Sequence, residues 1–287
     1  MENFTVVCWN SQHLSNNIGQ FQYEINNRQP HLIGICETKL TAKLKPSFPG
    51  YKSAVRKDGT NRSGGLLFLI RENIQFCQAQ IPSHPTLATL DHIGITIQIE
   101  GRSSHFYMFY NHCRATTEEE FSWYLSNIQT PALIMGDFNA RHHLWDPNLQ
   151  NKAINPNGKN LYNSLLTHTS LTLLNNPGLV TRIDPFGRAN SVLDLCLGTD
   201  HLSRDYEFST WPDLGSDHLP VQILYKNTPP PSIIQKRPRW KLKGADYASF
   251  SQDINTYALR EHSSLNKKVE HLTEFLTRAG KSTLQSF

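Results

Sequence analysis

The sequence predicts an α/β protein in which two β-sheets pack face to face with helices outside. Three observations lead there. Short apolar runs recur through the first 225 residues, and several end in a single polar side chain. Some runs are fully apolar and others alternate, as strands buried on both faces or on one face do. Helical patterns are few and fall between the strands, which suits sheet on sheet with an outer helical layer.

Taken in order, Thr5-Val6-Val7-Cys8-Trp9 reads as the first strand, ending at Asn10. A helix from about Ile18 to Arg28 follows, stopped by Pro30. Leu32 to Cys36 is a short apolar strand that delivers Glu37 at its end. Gly64 to Ile70, Gly94 to Glu100 and Phe106 to Tyr110 read as further strands. Thr116 and Thr117 precede Glu118-Glu119-Glu120, a capping residue and acidic first turn that suit a helix start. The next strand is Pro131 to Asn139, whose four apolar residues run into Gly136-Asp137-Phe138-Asn139. Alternation along it puts Asp137 and Asn139 on one side and Phe138 on the other. Gly158 to about Thr169 reads as a helix, and Leu171 to Leu174 as a strand. Val180-Thr181-Arg182 and Ser191 to Leu197 bracket Asp184-Pro185-Phe186-Gly187-Arg188, a turn-forming stretch that predicts a hairpin with Phe186 and Arg188 at its tip. Ser216-Asp217-His218 then leads into a strand from Leu219 to Tyr225.

Beyond Tyr225 the character changes. Residues 226–245 hold a Pro-rich and then basic linker, and from about Asp246 apolar residues recur at helical spacing to Leu276. The organisation expected is a domain over 1–225, a linker over 226–245, and over 246–287 a helical start to a further region. The formal charge of +4 divides unevenly: residues 1–225 hold 17 Lys and Arg against 19 Asp and Glu, and the remainder hold 11 against 5. A polyanion would meet local basic loops and the tail rather than a general positive field. Hydrophobic content of 38% and charged content of 18% are ordinary for a globular protein. No apolar run approaches the roughly 20 residues of a membrane span, so no membrane crossing is expected. The amino terminus reads as a strand start and not as a signal peptide. Five cysteines sit mostly in apolar runs without a Cys-x-x-Cys pair, which predicts buried thiols and disfavours structural zinc.

The polar residues at strand ends carry the chemistry: Asn10, Glu37, Tyr110, Asp137, Asn139, Asp194, Asp217 and His218. Carboxylates, amides and one imidazole without thiolates suit a hard, oxygen-liganded ion such as Mg²⁺. A phosphodiester is the natural substrate of such a set. Asp194, inside an apolar strand, needs a partner such as His218, because an unpaired buried carboxylate costs several kcal/mol.

Trp9-Asn10, Glu37-Thr38-Lys39-Leu40, Gly136-Asp137-Phe138-Asn139, Ser191-x-x-Asp194 and Ser216-Asp217-His218, in this order, resemble the endonuclease/exonuclease/phosphatase superfamily. Within it the chain is similar to the apurinic-type endonuclease domain of non-LTR (LINE-like) retrotransposons. Arg141-His142-His143-Leu144-Trp145 and the stretch from Arg239 to Tyr247 are similar to arthropod-type elements. The resemblance implies a four-layer α/β sandwich of two mixed β-sheets and a metal-dependent nick whose 3′-hydroxyl primes reverse transcription. It implies Mg²⁺, with Mn²⁺ as a substitute, held by Glu37 with Asn10 and Asp217 beside it. Asp137 and Asn139 would place the attacking water and the phosphate, His218 would contact the scissile phosphate oriented by Asp194, and Tyr110 would stabilise the phosphate. Spacing leaves open whether Asp137 or His218 is the general base. The family's proline pair after this tyrosine is replaced by Asn111-His112-Cys113, which leaves Tyr107 as a rival to Tyr110. Phe186, Arg188 and Ser191 are the candidate DNA contacts.

The partners implied are double-stranded DNA and a reverse transcriptase domain of the same polyprotein, with the nuclease a monomer acting at least transiently in the nucleus. Two other readings stay open at this point: another phosphodiesterase or phosphatase of the same fold, and an inactive nucleic-acid-binding fragment. His142 and His143 could be metal ligands, yet a solvated or DNA-facing loop is the simpler reading.

Overall fold

A computed structural model describes residues 3–60, 62–81, 84, 89–150, 153–187, 189–228, 240–241, 246–255, 273–276, 278 and 285–286. The chain divides into two compact units, Met1–Ile234 and Gln235–Phe287.

The first unit holds two six-stranded sheets. One runs β11-β12-β1-β2-β4-β3, formed by Tyr206–Thr210, Val221–Tyr225, Phe4–Asn10, Leu32–Cys36, Leu66–Arg71 and Tyr51–Lys57. The other runs β5-β6-β7-β8-β10-β9, formed by Cys77–Ala79, Leu90–Ile99, Arg102–Asn111, Ala132–Asp137, Asp194–Gly198 and Thr172–Leu173. Both are mixed: β1 lies parallel to β2 and β7 parallel to β8, while their other pairings are antiparallel.

The two-residue period sorts the core into layers. Phe4, Val6 and Cys8 of β1 meet Phe106 and Met108 of β7, Leu133 and Met135 of β8 and Cys196 of β10 between the sheets. Their neighbours on the other face, Val7, Trp9, Ile33 and Ile35, pack under Leu14, Phe21 and Ile25 of α1 (Leu14–Arg28). On the far side Tyr107, Phe109, Ile134, Leu195 and Leu197 pack under Phe121 and Tyr124 of α2 (Glu118–Asn127) and Leu161 of α3 (Pro156–Thr167). The result is the expected four-layer α/β sandwich.

Local chemistry explains most boundaries. Thr117 caps α2, its hydroxyl accepting from the N–H of Glu120, and Asn155 caps α3 by accepting from Gly158, with Pro156 in the first turn. The first helix begins at Leu14, four residues before the sequence suggests, because its start has no side-chain cap to mark it. Strands β3, β5 and β11, absent from the sequence reading, all lie at sheet edges, where one side of the strand faces solvent and the apolar pattern fades. Cys8, Cys36 and Cys196 are buried as expected, but Cys77 and Cys113 are exposed.

In the second unit Trp240–Lys241 pairs antiparallel with Gln285–Ser286, and Asp246 accepts from the N–H of Ser249 at the start of α4 (Tyr247–Asn255). The proline run 229–231, most of the basic stretch after it and the apolar stripe from 256 to 272 lie outside the described residues.

Two glycines set how closely the layers approach. A Cβ on Gly34, on the inter-sheet face, would stand 2.8 Å from Met108 Sδ and 3.2 Å from Met135 Cε. Gly136, at φ +149, would put a Cβ 1.8 Å from the carbonyl oxygen of Phe109 on the neighbouring strand. Backbone cannot yield as a methionine can, so Gly136→Ala should cost at least about 3 kcal/mol and Gly34→Ala about 1 to 3 kcal/mol. Gly19→Ala, in α1 with nothing within 4 Å, should instead stabilise by roughly 0.5 to 1 kcal/mol. Urea denaturation of the three variants checks the order; equal losses would contradict this packing.

Candidate active site

The site grows out of the inter-sheet rows. In β1 the inward series Phe4, Val6, Cys8 continues to Asn10; in β7, Phe106 and Met108 continue to Tyr110; in β8, Leu133 and Met135 continue to Asp137. In β10, running the other way, Cys196 is preceded on the same face by Asp194. The register sets Tyr110, Asp137 and Asp194 abreast across three strands. Asn10 stands level with Cys36 in the other sheet, and Glu37 follows.

Asn10 joins the two sheets. Its Nδ2 donates to Asp137 Oδ2 at 2.9 Å and lies 3.4 Å from Glu37 Oε1. Tyr110 donates its hydroxyl to the same Glu37 oxygen at 2.5 Å. Asp137 also accepts from the Asn139 backbone N–H at 2.9 Å and from its amide at 3.3 Å. Tyr107 is the wrong phase for this row: it packs in the outer layer and its hydroxyl accepts from Gln129 N–H. Tyr110 is therefore the tyrosine beside Glu37.

Asp137 and Asp194 are each 1% exposed and abreast, an arrangement that needs a counter-charge. His218 supplies it. Its Nδ1 is 2.7 Å from Asp194 Oδ2, and its Nε2 lies 3.8 Å from Asp137 Oδ2 and 3.7 Å from Asp217 Oδ1. Trp9 Nε1 donates to the His218 carbonyl, Ser216 Oγ accepts from the His218 N–H, and the Thr181 hydroxyl accepts from the N–H of Leu193 and of Asp194. Burial opposes charging of the imidazole, but the carboxylates of Asp194 and Asp137 outweigh it and raise its pKa to about 9. Burial, with Asp194 beside it, raises the Asp137 carboxyl against the pull of His218. Burial and the Glu37 carboxylate raise the Tyr110 phenol.

These groups border a cleft of about 500 Å³, lined by Glu37, Asp137, Asn139, Asp217 and His218 together with Gln12, Arg141, Asn155 and Arg182. Gln12, Glu37, Lys39, Cys113 and Asn139, in or beside it, all take positive φ between 46 and 59. Such strain gathers at functional sites, where the surrounding structure holds it.

Several residues were not legible beforehand. Arg182 grips Asp217 with Nε at 2.8 Å, bridging loops that are remote in sequence. Asn155 donates to the Asn139 carbonyl at 2.7 Å while capping α3, and Asn155-Pro156 was a cap signature that could have pointed to it. Lys39 Nζ lies 3.8 Å from Glu37 Oε2.

The expected DNA contacts divide differently. Phe186 is 77% exposed on the turn after Asp184, whose pairing of Arg182 with Ser191 makes the expected hairpin. The base of that hairpin, at Ile183 and Pro185, borders a second hollow of about 370 Å³. Arg188 lies outside the described residues. Ser191 is 2% exposed, with its hydroxyl buried and without a hydrogen-bond partner. His142 stacks on Tyr162 with ring centroids 4.2 Å apart and accepts from the N–H of Leu144, a packing role.

The carboxylates of Glu37, Asp137 and Asp217 put oxygen ligands beside the cleft, while Asn10 turns its Nδ2 to Asp137 and Glu37 and accepts the Gln12 N–H with its Oδ1. Asp217 Oδ1 is buried and has no hydrogen-bond partner. Among the described residues no group of three or more His, Cys, Asp or Glu side chains is arranged to hold a metal ion by itself. Mg²⁺ commonly takes one or two carboxylates and completes its shell with water and substrate phosphate, so this open set fits it.

Residues 104–222 match the family model described as an endonuclease-reverse transcriptase. Among curated proteins, the chain is 26% identical over 224 residues to a probable RNA-directed DNA polymerase from transposon X-element of Drosophila melanogaster, covering 76% of this chain and 24% of the relative. A probable RNA-directed DNA polymerase from transposon BS of the same organism is 22% identical, covering 97% and 31%. Among solved structures, the endonuclease domain of TRAS1, a telomere-specific non-LTR retrotransposon, matches with a TM-score of 0.59 at 16% identity, covering 78% of this chain and 98% of that one. Part of the chain thus matches the endonuclease-reverse transcriptase family model, and its fold is that of the solved retrotransposon endonuclease domain. An AP endonuclease from Archaeoglobus fulgidus shares the fold, with a TM-score of 0.60 at 15% identity over 78% of this chain and 99% of that one. The chain spans about a quarter to a third of the curated relatives' length.

In a domain arranged this way, the Asp194–His218 bond favours the charged imidazole. In metal-free buffer the His218 ring should titrate near pH 9 by NMR, and Asp194→Asn should lower the midpoint by at least about one unit. Because the folded pKa lies above the unfolded value near 6.5, this stabilisation is full below pH 6.5 and fades as pH rises through 9. Asp137, raised as well, acts in the same direction. A wild-type midpoint at or below 6.5 would contradict the pairing.

Proposed function

We propose that this chain is a divalent-metal-dependent DNA endonuclease that nicks target DNA and leaves a 3′-hydroxyl to prime reverse transcription. The observation that carries the reading is the buried Asp194–His218 pair facing Asp137 across the cleft, with Asn10 tying Asp137 to Glu37.

Glu37, with Asn10 and Asp217 beside it, would hold Mg²⁺, or Mn²⁺ in its place. Bound there, the ion neutralises charge that builds on the phosphate and on the departing oxygen. Tyr110 and Asn10 orient the Glu37 carboxylate. His218, its charged form favoured because the carboxylates beside it outweigh burial, turns Nε2–H toward a phosphate oxygen and is not assigned the role of base. That role falls to Asp137, held at both oxygens by Asn139 and Asn10, which takes the proton of the attacking water. Water adds to phosphorus, the bond to the 3′ oxygen breaks, and that oxygen leaves as the 3′-hydroxyl after protonation by solvent. Arg141, Arg182 and Asn155 supply cationic and amide donors at the cleft for the flanking strand. The exposed Phe186 hairpin is positioned to enter a groove of double-stranded DNA.

The curated relatives are named as RNA-directed DNA polymerases, and the chain matches only part of each. In this reading a reverse transcriptase domain of the same polyprotein uses the nick. The nuclease acts as a monomer, and a chromosomal target places it at least transiently in the nucleus.

Purified protein should convert supercoiled plasmid to the open-circular form in Mg²⁺ and lose that activity in EDTA. The nick should be extended by a DNA polymerase without end repair. Asp137→Asn and His218→Asn should each slow nicking by about a hundredfold to ten-thousandfold, Asp137→Asn with little change in thermal midpoint and His218→Asn with a lowered one, since it leaves two buried carboxylates without a counter-charge. Intact plasmid with wild-type protein, or nicks that resist extension, would refute the proposal.

A further inference from the structure

His112, two residues after Tyr110, belongs with Lys57 and Asp91 to a second constellation, none of whose three members lines the cleft. Lys57 at the end of β3 places Nζ 2.5 Å from Asp91 Oδ1 on β6, so the bond joins the two sheets. The other oxygen of Asp91 meets His112 Nε2 at 2.7 Å. The Asp91 and His112 side chains are only 22% and 23% exposed, unlike a typical surface ion pair. Burial raises the Asp91 carboxyl, but the bonds from Lys57 and His112 outweigh it and hold the group below its ordinary range.

The His112 ring stands edge-on to Tyr110, centroids 4.5 Å apart and planes at 66°, the geometry aromatic pairs prefer. Its other side meets Gly64, where a Cβ would come within 2.9 Å of His112 Cε1. Gly64 and Gly65 accept through their carbonyls from Lys39 N–H at 2.9 Å and Thr38 N–H at 3.2 Å. Glu37 is thus held from two directions, by the Tyr110 hydroxyl and by the backbone of the segment that carries it. His112 is the buttress both share.

We propose that Lys57, Asp91 and His112 form a positioning relay that holds Tyr110, and through it Glu37, in register with the cleft. The proposal rests on the nuclease reading for its consequence but not for its geometry. His112 is a positioning residue, since it touches Tyr110 and not the reacting atoms.

The test takes the full chain with His112→Ala, Asp91→Asn and Tyr110→Phe, the first also combined with the last. Two readouts are used: steady-state nicking, and the ¹⁹F resonance of 3-fluorotyrosine placed at position 110. His112→Ala should lower kcat about tenfold with KM held, and should add little to Tyr110→Phe, since groups acting as one unit are not additive. Asp91→Asn, which keeps the ring, should give a smaller loss in the same sense. In both, the fluorine signal of Tyr110 should shift and broaden while the thermal midpoint stays within a few degrees. A fluorine signal unmoved by His112→Ala, or losses that multiply in the double variant, would overturn the relay. If wild-type protein nicks no DNA, the nuclease reading fails, and the fluorine comparison still decides the relay.

Discussion

The arrangement depends on one hydrogen bond between two sheets. Asn10 belongs to β1 and Asp137 to β8, and the amide of one donates to the buried carboxylate of the other at 2.9 Å. Apolar packing alone would let the sheets shear, because it is not directional. A buried charge held by a defined donor has direction and is costly to break. The same amide lies within 3.4 Å of Glu37, so the position of one sheet against the other fixes the spacing of two carboxylates. The Asp194–His218 bond at 2.7 Å repeats the device at the next strand pair.

The cleft is thus the polar end of the hydrophobic core. Each inward row of β1, β7, β8 and β10 is apolar until its end and then presents one polar group two residues on. Asp137 and Asp194 stand level, and only the imidazole between loop and strand makes that tolerable. Gly136 lets the chain pass under the Phe109 carbonyl before Asp137, and the left-handed turns at Glu37 and Asn139 swing the chain out of the sheet once its side chain is placed. The fold and the electrostatics of the site are therefore the same set of constraints seen at two scales.

Much of this was legible in the sequence, for a physical reason. Runs such as Leu133-Ile134-Met135-Gly136-Asp137 declare both burial and period, so the central strands and their terminal Asn10, Glu37, Asp137 and Asp194 could be read directly. The edge strands β3, β5 and β11 could not, since much of each is exposed and its apolar pattern fades. Arg182 was invisible because its partner Asp217 is set by two loops folding together, and spacing along the chain carries no such information. The burial of Ser191 was likewise not legible from the Ser191-x-x-Asp194 spacing, because its bridge to Arg182 is made across the hairpin. The choice between Tyr107 and Tyr110 needed only the strand phase, once β7 was known to run to Asn111.

The central claim is that side chains from two sheets meet at one cation-binding cleft. Titrating Mn²⁺ into the isotopically labelled full chain and following paramagnetic broadening by NMR tests it most directly. The account predicts that resonances of Asn10 and Glu37 from one sheet and of Asp137 from the other broaden first and together, with Asp217 and His218 close behind. Broadening confined to one sheet, or centred away from Glu37, would contradict it.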